Sequence, residues 1–292
     1  MLLKFKVVHY YLIPLVCLVV WWGMLTALMV CWVVQNKPQY SWNTEYQVPP
    51  YISDLGATNL QPLFISCAGF QAIFFVGTLT MEYFLRRYKK LQPFVSKKQP
   101  LFSIISIVCA IIGQLGILFV SIFKTTRFHR VHLSMVAVFI VFSFFTCVFN
   151  FLNSFIFGYY PTRLSPNHEK VIFGTHRWAN LYMVSFVLKT FWLVGAVVFA
   201  VLFGWYMKDD HPSLSAAFEW TISYWYGFLL VLWAIDLFPS AVKHYQLRHP
   251  DQYPEKDLSH IHLDPNNPAD LTKLEERSVS TFGSPTFAGQ EL

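Results

Sequence analysis

The chain has 292 residues, of which 55% are hydrophobic, 18% aromatic and 13% charged, with a formal net charge of +6. Soluble domains carry about 25% charged residues, so this composition excludes a water-soluble globular body. No Walker loop, H-E-x-x-H, G-x-S-x-G or Cys-x-x-Cys pattern occurs, so no catalytic residue, cofactor or metal is expected, and nothing points to nucleic acid.

Six apolar runs are each long enough to cross the hydrocarbon of a bilayer as a helix, for which roughly 20 residues suffice. They lie at about 11–34, 63–85, 101–123, 133–157, 178–207 and 219–238. The first is longer than the core of a signal peptide, about 7 to 15 residues, and no small-x-small site follows it, so it reads as a retained helix. A 35–62 loop follows, the longest between spans. Pro49 and Pro50 hold it extended, Gly56 permits a tight turn, and Asn59 is placed to cap a helix from Leu60. It reads as an ordered lid re-entering the second span, with Asp54 as its one chemically interesting group.

The second span ends in a basic loop containing Arg86, Arg87, Lys89, Lys90, Lys97 and Lys98 without an acid among them. Such a loop attracts anionic lipids by at most about 1 kcal/mol per residue; it is equally what orientation in the membrane requires. With the N-terminus inside, sixteen of the 22 Lys and Arg fall on the inner side and five outside, so both termini are expected in the cytoplasm. All five Cys fall within spans, so no disulfide framework is expected. On the fifth span Ala196, Ala200 and Gly204 form a small-residue stripe for packing, within the bundle or between copies. The expected architecture is all-α, a six-transmembrane-helix bundle over residues 1–243. The polar stretch 244–292 reads as a disordered cytoplasmic tail, because it cannot bury enough apolar surface to fold.

Two polar groupings interrupt the grease. Glu82, Lys189 and Asp236 are ionisable groups in the inner halves of three spans, which Asn150 and Asn153 join from the fourth. Intramembrane charges face partners or water, and two readings are open: a cavity holding a lipid headgroup, or a structural ion pair of Lys189 with Asp236 or Glu82. On the outer side Asp54, His132 and Glu219 could converge for proton transfer or to hold a cation, or serve as capping and rim residues.

The segments "PPYISDLG", "RFHRVHLSMVAVFIVF" and "FEWTISYWYGFLLVLWAIDLFP" resemble the Frag/DRAM/Sfk family of six-span membrane proteins, and most of all its fungal suppressor-of-four-kinase (Sfk) branch. The family motif falls on Pro50, Tyr51, Ile52, Ser53, Asp54 and Gly56, with His132, Glu219, Trp220 and Asp236 as further matches. The resemblance implies a non-enzymatic, multi-pass protein of the plasma membrane. It implies a regulator or scaffold acting with the phosphatidylinositol 4-kinase complex and its Efr-type membrane scaffold, among anionic phospholipids and sterol. The alternatives are a factor remodelling the lipids of glycosylphosphatidylinositol anchors, as in more distant relatives, and a small-solute or lipid transporter.

Overall fold

The computed structural model describes residues 9–42, 46–164 and 180–248, with side chains to residue 241. The tail expected from 244 begins later, since 244–248 continue α7; residues from 249 onward, with Lys4, Lys6, Lys170, Arg177 and Trp178, lie outside the described residues, as does the expectation of tail disorder. Among the described residues there are seven α-helices and no strand: α1 (Leu12–Val34), α2 (Ile52–Gly56), α3 (Gln61–Arg87), α4 (Gln99–Ile122), α5 (Thr125–Tyr159), α6 (Leu181–Lys208) and α7 (Pro212–Arg248). All but α2 are long and apolar enough to span a membrane.

Hydropathy finds the apolar middles; local chemistry sets the ends. Pro62 and Pro100 sit in the first turns of α3 and α4, where a missing N–H costs nothing. Asn180 caps α6 by accepting the Met183 N–H at 2.9 Å and donates to the Gly158 carbonyl at 2.8 Å, so one amide ties α5 to α6. The expected Asn59 cap is not made: α3 begins at Gln61, and the Thr58 hydroxyl instead accepts the Leu60 N–H at 3.2 Å. The basic stretch 124–130, expected as a loop, is mostly helical and extends α5 outward past a break at Phe128 (φ −127°, ψ 44°). α7 likewise runs beyond the expected 219–238 at both ends and carries Pro239 within it.

Three spans end in left-handed residues without being glycine. Asn36, Lys89 and Asp210 have φ of 60°, 55° and 58°, each followed by an N–H bonded back to the carbonyl five residues earlier at 2.8–3.0 Å, the Schellman arrangement. Lys37, exposed, is left-handed as well (φ 53°). Since a β-carbon is strained there, Lys37→Gly is expected to stabilise the protein by up to about 1 kcal/mol, read as a raised melting temperature in detergent.

Each span packs on its neighbour in sequence, and α7 returns to α1, so the six close into a ring. Between apolar helices in lipid, backbone-directed hydrogen bonds and close approach must supply the specificity that hydrophobicity does not. Tryptophan supplies the bonds: Trp21 and Trp22 of α1 donate to the Ser223 and Tyr224 carbonyls of α7 at 2.8 and 3.1 Å. Trp192 and Trp225 donate reciprocally to each other's carbonyls at 2.8 and 2.9 Å, joining α6 to α7. Close approach is clearest at Gly158, where a β-carbon would lie 2.8 Å from the Met183 backbone nitrogen of α6, and at Gly116, where it would lie 2.9 Å from the Phe139 backbone nitrogen of α5. Of the small-residue stripe of α6, Ala196 packs against the core, whereas Gly204 has open space beside it. α2 lies across the outer mouth of the ring and touches α1, α3, α4, α5 and α7.

Candidate functional site

Polar side chains gather at both ends of the ring. At the inner end, α3 runs through Glu82 and Arg86, one turn apart on a single face. Glu82 Oε1 accepts from Arg86 Nε at 2.9 Å and Nη2 at 2.8 Å, and its Oε2 accepts from Asn150 Nδ2 at 3.0 Å. Asn150 Oδ1 in turn accepts the Trp233 indole N–H at 3.0 Å, so α3, α5 and α7 meet on one carboxylate. Arg86 also donates to the Gln92 carbonyl at 3.2 Å and lies 4.5 Å from the Phe157 ring centre.

Beside this lies the second pair. Lys189 of α6, with no exposed surface, is ion-paired with Asp236 of α7 and donates to Ser154 Oγ at 2.8 Å. Ser185 donates to Asp236 Oδ1 at 2.8 Å. Lys189 acts electrostatically on Glu82, and Asp236 on Arg86. The four charges thus form one network, two acids against two bases, with no net charge.

Two sequence expectations change. Arg86 was grouped with the lipid-facing charges of the basic loop; it is buried, because its guanidinium turns inward to Glu82 four residues earlier. The spacing Glu82-x-x-x-Arg86 was the available signal. Asn153 was grouped with the inner charges; its Nδ2 instead donates to Ser103 Oγ of α4 at 3.0 Å. The remaining loop cations, Arg87, Lys89, Lys90, Lys97 and Lys98, are all exposed. They stand on an ordered support: Lys89 forms the Schellman end of α3, and Gln99 Oε1 accepts the Val95 and Ser96 N–H groups at 2.8 and 3.0 Å.

At the outer end the sequence motif is a lid. Glu219 Oε2 accepts the Ile52 N–H at 2.7 Å, so a carboxyl group on α7 caps α2, whose first amides have no partner within the helix. Trp220 donates to the Pro50 carbonyl at 2.8 Å, and Ser213 Oγ accepts the Val48 N–H at 3.1 Å. Asp54 faces inward within α2, buried, and accepts the Trp42 indole N–H at 3.2 Å; Trp42 stacks on Tyr40 at 4.9 Å. Gly56 is required because a β-carbon there would enter the Phe64 ring. Burial raises the Tyr51 hydroxyl above its ordinary pKa, Glu219 and Asp54 push the same way, and a bond to Ser215 opposes them. The Ser53 backbone N–H lies close to the Glu219 carboxyl group.

The three outer ionisable groups do converge: Asp54 lies within electrostatic reach of both Glu219 and His132. Each also has a holding task. His132 Nδ1–H donates to the Phe123 carbonyl at 2.8 Å, closing the α4–α5 turn. No group of three or more His, Cys, Asp or Glu placed to hold a metal occurs among the described residues. What the sequence does not reveal is Ser213 and Trp42 as lid partners; both look like ordinary rim residues.

The comparisons with known proteins agree with this architecture. The family described as the Frag1/DRAM/Sfk1/Cwh43P N-terminal domain matches residues 9–240, the whole ring. The chain is 32% identical to Protein SFK1 of Saccharomyces cerevisiae, over 78% of this chain and 78% of the yeast protein. It is 24% identical to Protein sfk1 of Schizosaccharomyces pombe, over 78% of this chain and 64% of that protein. No solved structure matches it. The chain belongs to the Frag1/DRAM/Sfk1 family and is a multi-pass membrane protein of that family's Sfk kind.

Proposed function

We propose that this protein is a non-enzymatic regulator or scaffold at the plasma membrane, acting in phosphatidylinositol 4-kinase signalling and membrane lipid organisation. The observation carrying this reading is the division of charge at the inner end. The buried charges neutralise one another, while Arg87, Lys89, Lys90, Lys97 and Lys98 remain exposed on an acid-free segment. Such a segment beside a membrane span draws anionic headgroups to it. It offers phosphoinositides, and the proteins that make them, a fixed basic platform. A scaffold also suits the outer face, where Glu219 and Trp220 hold the lid to α7. The Efr-type scaffold and the kinase complex are the partners this reading assigns to the inner loops.

Two measurements test it. In cells lacking the protein, plasma-membrane phosphatidylinositol 4-phosphate, followed with a fluorescent reporter, is expected to fall; an unchanged level overturns the signalling role. On the purified protein, Lys97→Gln with Lys98→Gln is expected to weaken retention of phosphatidylinositol 4-phosphate by at most about 2 kcal/mol. Native mass spectrometry in low salt reads that loss, which shrinks as salt is added.

A further inference from the structure

Between the inner charges and the outer lid lies a third polar layer. Gln71 of α3 and Gln114 of α4 are 1% and 2% exposed. Gln71 Nε2 donates to the Tyr226 hydroxyl of α7, and the Gln114 amide lies beside that same hydroxyl without the geometry of a hydrogen bond. Gln114 Nε2 and Oε1 and Gln71 Oε1 all lack a hydrogen-bond partner. In a membrane interior neither water at large nor lipid satisfies such groups, and leaving them bare is costly.

The surroundings define what would satisfy them. Phe75 stacks on Tyr226 at 5.7 Å and Trp21 meets it edge-on at 5.8 Å, giving apolar walls around three converging polar side chains, the usual make-up of a small ligand site. Below, Phe75 and Trp233 pack at 4.8 Å and separate this layer from the ion pairs. Glu82 and Asp236 are, respectively, eleven and ten residues farther along their helices, roughly 15 Å by helical rise. Above, α2 covers the mouth. Among the described residues no cation lines the layer to hold an anion, and no carboxylate lines it to hold a cation. The free valences comprise both acceptors and donors, which together fit a group that donates and accepts at once.

We propose that the Gln71–Gln114–Tyr226 layer is a binding site for a neutral O–H group enclosed within the ring. That chemistry comes from two sources, ordered water or the hydroxyl of an uncharged amphiphile. The Gln114 amide is its principal ligand, supplying one donor and one acceptor, and Gln71 Oε1 accepts.

Hydroxyl-radical footprinting of the purified full chain, with native mass spectrometry of the same sample, tests this. Bound water generates radicals in place, so Tyr226 is expected to be oxidised several-fold faster than Trp233, although indole is the more reactive ring. With an amphiphile in the site, Tyr226 is instead silent. Native spectra then carry an uncharged lipid alcohol at one per chain, and Tyr226 labelling appears once detergent strips it. Gln71→Leu with Gln114→Leu is expected to abolish whichever signal is seen. If that variant does not fold, the wild-type comparison of Tyr226 with Trp233 stands alone. Wild-type protein showing neither Tyr226 oxidation, before or after stripping, nor a retained lipid alcohol overturns the proposal, as does a folded double variant with an undiminished signal.

Discussion

Lys189→Met is expected to destabilise the bundle by about 3–5 kcal/mol, the usual consequence of leaving one member of a buried ion pair without the other. Lys189 has no exposed surface, and the Asp236 side chain is 12% exposed, so water cannot take over the lost interaction. With the ammonium gone, Asp236 keeps the Ser185 hydroxyl bond but no countercharge, and the network is left with two acids against Arg86. The combined Lys189→Met and Asp236→Leu variant removes both charges and is expected to recover most of the loss, because the desolvation of the pair disappears along with its attraction. The measurement is thermal unfolding in detergent, with the fraction of monodisperse protein as a second readout. A Lys189→Met protein as stable as wild type would instead mean that the lysine is held for something other than Asp236, and would return the inner cluster to the headgroup reading.

That network also explains which parts of the molecule were legible in advance. Six spans stand out because a bilayer demands some 20 apolar residues in a row, and the six long helices answer that demand with only their ends displaced. Ring closure is not visible in the same way. In lipid both the inside and the outside of a bundle are apolar, so periodicity does not tell Leu25, fully buried, from Val19, mostly exposed. Only the polar residues mark the inward face, and they mark it well: Gln71, Thr78, Glu82 and Arg86 are all buried along α3. Arg86 misleads because a cation at the end of a span ordinarily joins the loop, whereas here Glu82 one turn earlier offers it a partner. Trp21, Trp22, Trp192 and Trp225 donate to carbonyls of neighbouring helices, a role the sequence does not announce. No local pattern distinguishes an indole aimed across a helix seam from one aimed at a headgroup. The convergence of Asp54 with Glu219 likewise depends on residues far apart in the chain, brought together only when α7 closes on α1.

Glu219→Ala is expected to loosen the outer lid while leaving the six spans in place. Its carboxyl group accepts the Ile52 N–H at 2.7 Å and lies close to the Ser53 N–H as well, two amides at the start of a five-residue helix too short to persist on its own. Leaving a buried amide without its acceptor costs about 1–3 kcal/mol. Amide hydrogen exchange over residues 46–57 is therefore expected to accelerate roughly 10- to 100-fold, at about 1.4 kcal/mol per tenfold change in an opening equilibrium. Exchange within α3 and α4 is expected to stay as in wild type. Glu219→Gln keeps an acceptor oxygen in the same place, so its acceleration should fall between wild type and Glu219→Ala. Trp220→Phe removes the bond to the Pro50 carbonyl at 2.8 Å but retains the ring, and is expected to expose residues 46–51 more than residues 52–56. If Glu219→Ala leaves exchange of the Ile52 and Ser53 amides unchanged, the carboxyl group is not what fastens the lid. The convergence of Asp54, His132 and Glu219 would then call for another explanation, with proton transfer first among them.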